Sequence, residues 1–205
     1  RRDALVGPYC SLDELPKGAR IGTASVRRAA ILLNYRPDLK IHLIRGNLSR
    51  RLGLLAVGDY DAIILAVAGI RRLGVDIDFT PIEAEIMPSA AAQGVLAVQI
   101  AAPETKRASL VKNLVGGLTC SKALAEVTAE RALLAFLDGS CKTPISASAT
   151  FGDDDYLTLD GMILRPDGSE SHRQQMRAPS DQAAALGMAL GTELLGLAGG
   201  RDFLA

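Results

Sequence analysis

Tryptophan is absent from this chain, and tyrosine and phenylalanine number four each, so aromatics make up 4% of 205 residues. Aliphatic side chains therefore have to build the core, and a surface that stacks bases on aromatic rings has few residues to draw on. Cysteine is scarce and odd in number: Cys10, Cys120 and Cys141. Three widely spaced thiols argue against a disulfide scaffold and fit a reducing compartment, the cytoplasm. Histidine occurs twice, as His42 and His172, and no CxxC pair exists, so a zinc site lacks ligands. The longest clean apolar run, Ala62–Ala68, has seven residues, too few to span a bilayer. Arg1–Pro8 is charged and lacks the apolar stretch of a signal peptide. Net charge is missing too, because 23 basic residues balance 23 acidic ones.

What is present is a globular composition, 48% hydrophobic and 22% charged, in a length that suits one large domain or two small ones. The charge is unevenly spread. Between Arg20 and Arg51 stand eight basic residues and a single acid, Asp38. A basic segment in a neutral chain points to an anionic ligand rather than to general stickiness. The chain opens on Arg rather than Met, which leaves a fragment or processed product as an expectation.

The first half reads as α/β. Ala19–Ala24 is a short strand, and Ser25 caps a helix over Val26–Asn34 that Pro37 stops. Lys40–Ile44 alternates as a strand up to Arg45-Gly46-Asn47; Leu48–Val57 is a second helix with Gly58 closing it. Asp61–Ala68 is a continuous apolar strand of the kind buried on both faces of a parallel sheet. Thr80–Ala92 is irregular, and a strand is expected over Val95–Ile100, then a helix over Pro103–Val115 broken by Gly116-Gly117. The second half reads as α+β. Thr119 caps a long helix to Leu137; strands follow at Pro144–Phe151, Leu157–Leu164 and Ser169–Arg177, with a Pro166-Asp167-Gly168 turn; Ser180 caps a last helix to Leu197.

Three stretches carry chemistry. In Gly22-Thr23-Ala24-Ser25-Val26-Arg27-Arg28 a strand end becomes a helix N-terminus, whose free N–H groups and dipole attract anions, with two forked guanidinium groups in the first turn. Taken alone, the two arginines fit a solvated helix face equally well. Arg45-Gly46-Asn47 with Arg51 puts further cations at the next strand end, where open α/β sheets bind ligands. Arg72 follows the third strand. In Asp138-Gly139-Ser140-Cys141-Lys142-Thr143 a cysteine sits in a polar loop beside a lysine, a setting that suits thiolate chemistry better than Cys10 or Cys120, candidates for buried structural thiols. No histidine is near Cys141, which speaks against a thiol hydrolase, and periodicity alone leaves an inert Cys141 open. His42 reads as a packed residue, His172 as a surface residue, and Asp153-Asp154-Asp155 as a solvated hairpin turn.

These stretches, in this order, resemble the porphobilinogen deaminase (hydroxymethylbilane synthase) family. The likeness runs through Ile21-Gly22-Thr23-Ala24-Ser25-Val26-Arg27-Arg28, Arg36-Pro37-Asp38-Leu39, Ile44-Arg45-Gly46-Asn47, Arg51-Leu52, Gly58–Gly69, Arg72-Leu73-Gly74, Gln93-Gly94, Thr128–Ala132 and Leu137–Cys141. The resemblance implies a transferase that condenses four porphobilinogen molecules head to tail, expelling ammonia at each addition. A dipyrromethane cofactor, thioether-linked to the cysteine matching Cys141, would prime it. Ser25, Arg27, Arg28, Arg45, Arg51 and Arg72 match positions that hold acetate and propionate groups.

The resemblance further implies an α/β domain of the periplasmic-binding-protein type over residues 1–89 and a segment returning to another domain over 90–118. A small α+β domain with an antiparallel sheet, bearing the cofactor, would cover 119–205. It implies a cytoplasmic monomer, with no nucleic acid or membrane as partner. The family's catalytic Asp, in a Lys-Asp motif, has no match here, so no catalytic residue is assigned in this chain. The bulk of a first domain is expected to be missing, and these residues alone are expected to be inactive; a non-catalytic carboxylate-binding remnant is the alternative. Smaller departures are Ala24 where Ser is common, Arg50 where Thr is common and Ala92 where Gly is common.

Overall fold

The computed structural model describes residues 1–102, 105–140 and 142–204. Cys141 lies outside them, so the reading placed on it stays with the sequence.

The first unit is a five-stranded mixed sheet flanked by helices. Along the chain run β1 (Asp3–Val6), β2 (Arg20–Gly22), α1 (Val26–Tyr35), β3 (Lys40–His42), α2 (Leu48–Ala56), β4 (Ala62–Ala66), α3 (Val67–Leu73) and β5 (Phe79–Pro81). The strand order is β3-β2-β4-β1-β5. β2, β3 and β4 are parallel, whereas β1 runs antiparallel to both β4 and β5. β4 is apolar because both its faces are covered. Ala62 and Ile64 join the core under α1, and Ile63 and Leu65 join a second core on the opposite face. Burying each isoleucine is worth about 1.5–3 kcal/mol.

Ser25 and Asn47 cap α1 and α2 as helix-start chemistry requires, each accepting a backbone N–H of its own first turn. Both helices and α3 begin at the same edge of the sheet, since each follows the C-terminal end of a parallel strand.

β1 and β5 were not expected. Ala4-Leu5-Val6 is too short to show a period, and its partners, residues 63–65 and Phe79–Pro81, lie far downstream, so only the tertiary pairing makes it a strand. The opposite error occurs at Val95–Ile100, which forms no strand. No strand of the described residues lies beside it, and Leu96 is 87% exposed. α4 (Lys106–Gly116) follows, with only Ala108 buried.

The second unit has α5 (Ser121–Phe136), an antiparallel meander of β6 (Ile145–Phe151), β7 (Tyr156–Leu164) and β8 (Ser171–Pro179), and α6 (Ala183–Leu197). Short 3-10 turns precede and follow α6. α5 and α6 cover one face of the meander, and Gly187 lets them approach closely. A Cβ there would stand 2.7 Å from both Ala132 Cβ and Leu133 N. α5 starts after Cys120, one residue later than a Thr119 cap would place it, and no side chain caps its first turn; Thr119 belongs to the preceding turn, its N–H donating to Gly116 O at 3.1 Å.

Four side chains differ from the reading of the sequence. Cys10 and Cys120 are exposed, not buried, because both stand in connecting segments outside the cores. His42 is exposed at the end of β3, an edge strand with a neighbour on one side only. His172 is partly covered, edge-on to Phe203 at 5.1 Å and 3.0 Å from a Glu170 carboxylate oxygen.

The two units share core. Met162 and Leu164 of β7 pack into the core under α1, and Asn34 Nδ2 donates to Gly168 O at 2.9 Å. Residues 88–93 run between the units and are bonded to both. Pro88 O accepts from Arg27 on one side and from Ser146 Oγ on the other.

Candidate functional site

The chemistry gathers where the helices start. Thr23 and Ala24 link β2 to α1, so the first turn of α1 projects Ser25, Arg27 and Arg28 at the C-terminal edge of the sheet. Ser25 Oγ accepts the Arg28 N–H at 3.3 Å. The register of β1 brings an acid to the same place. Asp3 lies opposite Ala66, the last residue of β4, and therefore at the edge where α1 begins.

Asp3 is 1% exposed and meets both arginines, Arg28 at 2.6 Å and Arg27 at 2.7 Å. Burial alone would raise its carboxyl, but the bonds and charges of Arg28 and Arg27 outweigh it and hold Asp3 below its ordinary value. Arg27 is 5% exposed. Burial lowers its pKa, and the neighbouring Asp3 opposes that shift. It also donates to Pro88 O at 2.5 Å and to Gln93 Oε1 at 3.2 Å. Arg28 reaches Ile64 O at 3.4 Å and keeps a buried Nε without a partner.

At the next junction Gly46 adopts φ +111°, a conformation that L side chains rarely take. The turn lets Arg51 Nε reach back to Gly46 O at 2.9 Å. Ser25, Arg27, Arg28 and Arg51 line a cleft of about 510 Å³, closed from the other unit by Leu134, Ser140, Thr143 and Ile145 and by Ala90 and Ala91 of the connecting segment. Arg45 is exposed beside Gly46, and Arg72 is exposed in the last turn of α3; neither lines this cleft. Among the described residues no acidic side chain pairs with Arg45, Arg50, Arg51 or Arg72. Arg27 and Arg28 share one carboxylate, Asp3, and Arg51 has none, so the cleft keeps a net positive charge suited to carboxylates.

Three further residues were given no role from the sequence, although Gln93 and Glu130 lie in stretches that carry the resemblance. Asp3 hid in a charged N-terminal stretch; its signal was an acid directly before a short apolar run. Gln93 donates to Arg1 O at 2.8 Å and to Asp3 at 3.0 Å while accepting from Arg27, which locks the connecting segment to the sheet. Glu130 of α5 has no exposed surface and accepts from Ala92 N at 2.7 Å, Ala149 N at 2.8 Å and Arg1 at 2.8 Å. Burial raises its pKa above the ordinary value, against the backbone N–H groups and Arg1 that favour its charged form.

Comparison with known proteins decides what this arrangement belongs to. Residues 1–109 match a family profile described as "Porphobilinogen deaminase, dipyromethane cofactor binding domain", and residues 124–196 match "Porphobilinogen deaminase, C-terminal domain". The chain belongs to the porphobilinogen deaminase family. It is 39% identical over 204 residues to the porphobilinogen deaminase of Nitrobacter winogradskyi, which spans 98% of the chain and 63% of that protein. It is 43% identical to that of Roseiflexus castenholzii over 206 residues, or 100% of the chain and 66% of the relative. With the Neisseria meningitidis protein it shares 44% over 195 residues, 94% of the chain and 61% of the relative. The chain thus spans just under two thirds of the length of these relatives. The mixed sheet with helices and the small antiparallel unit fit the two family profiles, which together cover both. No helix among the described residues is long and apolar enough to cross a membrane.

Proposed function

We propose that this chain supplies the carboxylate-binding edge and the cofactor-bearing unit of a transferase that condenses four porphobilinogen molecules into hydroxymethylbilane with release of ammonia. The observation that carries the reading is the cleft itself. Ser25, Arg27, Arg28 and Arg51 face Ser140 and Thr143 across about 510 Å³. That volume lies within the usual range for small-molecule sites. A dipyrromethane thioether-linked to Cys141 fits this donor set, because three guanidinium groups line the cleft and the single carboxylate behind two of them, Asp3, offsets their charge only in part; when bound, it supplies the primer to which porphobilinogen adds. Arg28 and Arg51 orient carboxylates from the α1 and α2 junctions, and Arg45 and Arg72 extend the positive edge beyond the cleft. Ser25 holds the first turn of α1 in place.

The α/β unit over residues 1–89 is proposed to be of the periplasmic-binding-protein type, with residues 119–205 as the cofactor-attachment unit. Residues 90–118 belong with a further domain. Val95, Leu96, Val98, Leu118 and Leu124 border an apolar groove of about 590 Å³, and the part of the relatives that this chain does not span is its occupant. The whole protein works as a cytoplasmic monomer on porphobilinogen, without nucleic acid or membrane. No Lys-Asp pair occurs in the 205 residues, so the proton-handling carboxylate of the family is absent from them. General acid–base help contributes about 10²–10⁴-fold, and the chain alone is expected to be inactive.

The test is ammonia release from porphobilinogen by this chain. No turnover above background is expected, while saturable porphobilinogen binding persists. Turnover like that of a complete enzyme would overturn the inactivity, and absence of binding would overturn the carboxylate site. A non-catalytic carboxylate-binding remnant is the second reading, favoured by the missing Lys-Asp pair; it predicts a bare Cys141 in the protein taken from its source.

A further inference from the structure

We infer that Asp3 is the positioning residue of the arginine cleft: it commits Arg27 to structure and holds Arg28 in the orientation that a carboxylate ligand meets. The inference rests on the carboxylate reading above and divides the work between two adjacent arginines that the sequence treats alike. Both carboxylate oxygens of Asp3 are used. One accepts from Arg28 at 2.6 Å and from Gln93 Nε2 at 3.0 Å, the other from Arg27 at 2.7 Å. Its side chain has no exposed surface and is not part of the cleft wall. Asp3 therefore stands behind the arginines and does not compete with a ligand for their outer face.

Arg27 has little left to offer. Its two terminal nitrogens are spent on Pro88 O, Asp3 and Gln93. Turning it outward would strand a buried carboxylate and the connecting segment together, a cost no single ligand contact offsets. Arg28 is different. It spends one nitrogen on Asp3, makes a long 3.4 Å contact to Ile64 O and leaves Nε unpartnered. With five N–H donors on the fork, it keeps capacity for a ligand. Two guanidinium groups against one carboxylate also leave one uncompensated positive charge at the junction. Fixing the Arg28 fork before the ligand arrives removes an ordering cost from binding.

The experiment compares the chain with its Asp3→Asn variant by the guanidinium signals in ¹H–¹⁵N spectra and by calorimetric titration with porphobilinogen. The expected result is restricted Arg28 guanidinium rotation in the parent, lost in the variant. A fall in porphobilinogen affinity of about tenfold or more, the scale of one charge-assisted hydrogen bond, accompanies it. A merely structural Asp3 would lower stability yet leave the Arg28 signals and the affinity of the folded protein unchanged, and that result overturns the inference. If Asp3→Asn does not fold, Arg28→Lys decides. It keeps the charge and loses the fork, so the same fall in affinity is expected, and unchanged affinity refutes the positioning role. If the parent chain itself binds no porphobilinogen, the carboxylate reading falls, while the guanidinium signals still report whether Asp3 orients Arg28.

Discussion

Glu130 offers the sharpest test of how the two units are joined. Its carboxylate is fully buried and accepts two backbone N–H groups, from Ala92 in the connecting segment and Ala149 in β6, at 2.7 and 2.8 Å. Arg1 adds a charge at 2.8 Å. Glu130→Ala orphans both N–H groups, each at about 1–3 kcal/mol, and leaves a hole in the α5 packing. The expected loss is about 3–5 kcal/mol, the range for breaking one side of a buried charged cluster. Glu130→Gln keeps one acceptor but turns an amide NH₂ toward the other N–H, so its loss is about 1–3 kcal/mol.

The pH dependence has a definite sign. Burial raises the pKa of Glu130 in the folded state. The native state thus binds its proton more readily than the unfolded chain does, and wild-type stability from this group grows on acidification and declines as pH rises through the shifted value. The amide of the Glu130→Gln variant cannot titrate, so the gap between wild type and that variant widens as pH falls. Urea unfolding followed by far-UV circular dichroism at neutral and acid pH reads both quantities. An Ala variant within about 0.5 kcal/mol of wild type, the scale of an ordinary surface change, would refute the latch, and a gap that narrows on acidification would refute the sign.

Asp3 should behave in the opposite way. Its carboxyl is held below the ordinary value by Arg28 and Arg27 against the pull of burial. Its stabilisation is therefore complete above the unfolded value and is lost as pH falls through the folded one. The stability gap between wild type and Asp3→Asn narrows on acidification, and a widening gap in the same urea titrations contradicts the ion-pair cluster. Ala92 sits at φ +60°, where a Cβ is strained by about 1–2 kcal/mol. Ala92→Gly keeps the N–H bond to Glu130 and should raise the stability read from the urea midpoint by about 0.5–1 kcal/mol at unchanged slope, where a lowered midpoint would count against the strain. Gly187→Val drives side-chain atoms into Ala132 and Leu133 across the α5–α6 contact. A loss of about 1–3 kcal/mol is expected, and an unchanged melting temperature would mean that the helices separate freely.

The parallel part of the fold was readable because its signals are local. Ser25 and Asn47 cap helices through their own neighbours in sequence, and the apolar run that contains β4 is covered on both faces. The arginines at the α1 and α2 junctions follow directly from those elements. β1 and β5 escaped because three or four residues carry no period, and their pairing with each other and with β4 is wholly non-local. Val95–Ile100 fails in the opposite sense. Its composition suits a strand, but a strand needs a neighbour, and none of the described residues provides one. The site was partly legible for the same reason. Sequence pattern finds cations at strand ends, while the counter-ion that sorts Arg27 from Arg28 arrives from a strand twenty-odd residues upstream through the sheet register.

The most direct measurement is intact mass with peptide mapping of the protein isolated from its source cells. All three cysteines are informative, because Cys10 and Cys120 are both exposed and so open to modification themselves. The account predicts a dipyrromethane-sized adduct on the peptide that holds Cys141 and none on the other two. A bare Cys141, or an adduct on Cys10 or Cys120, would contradict it.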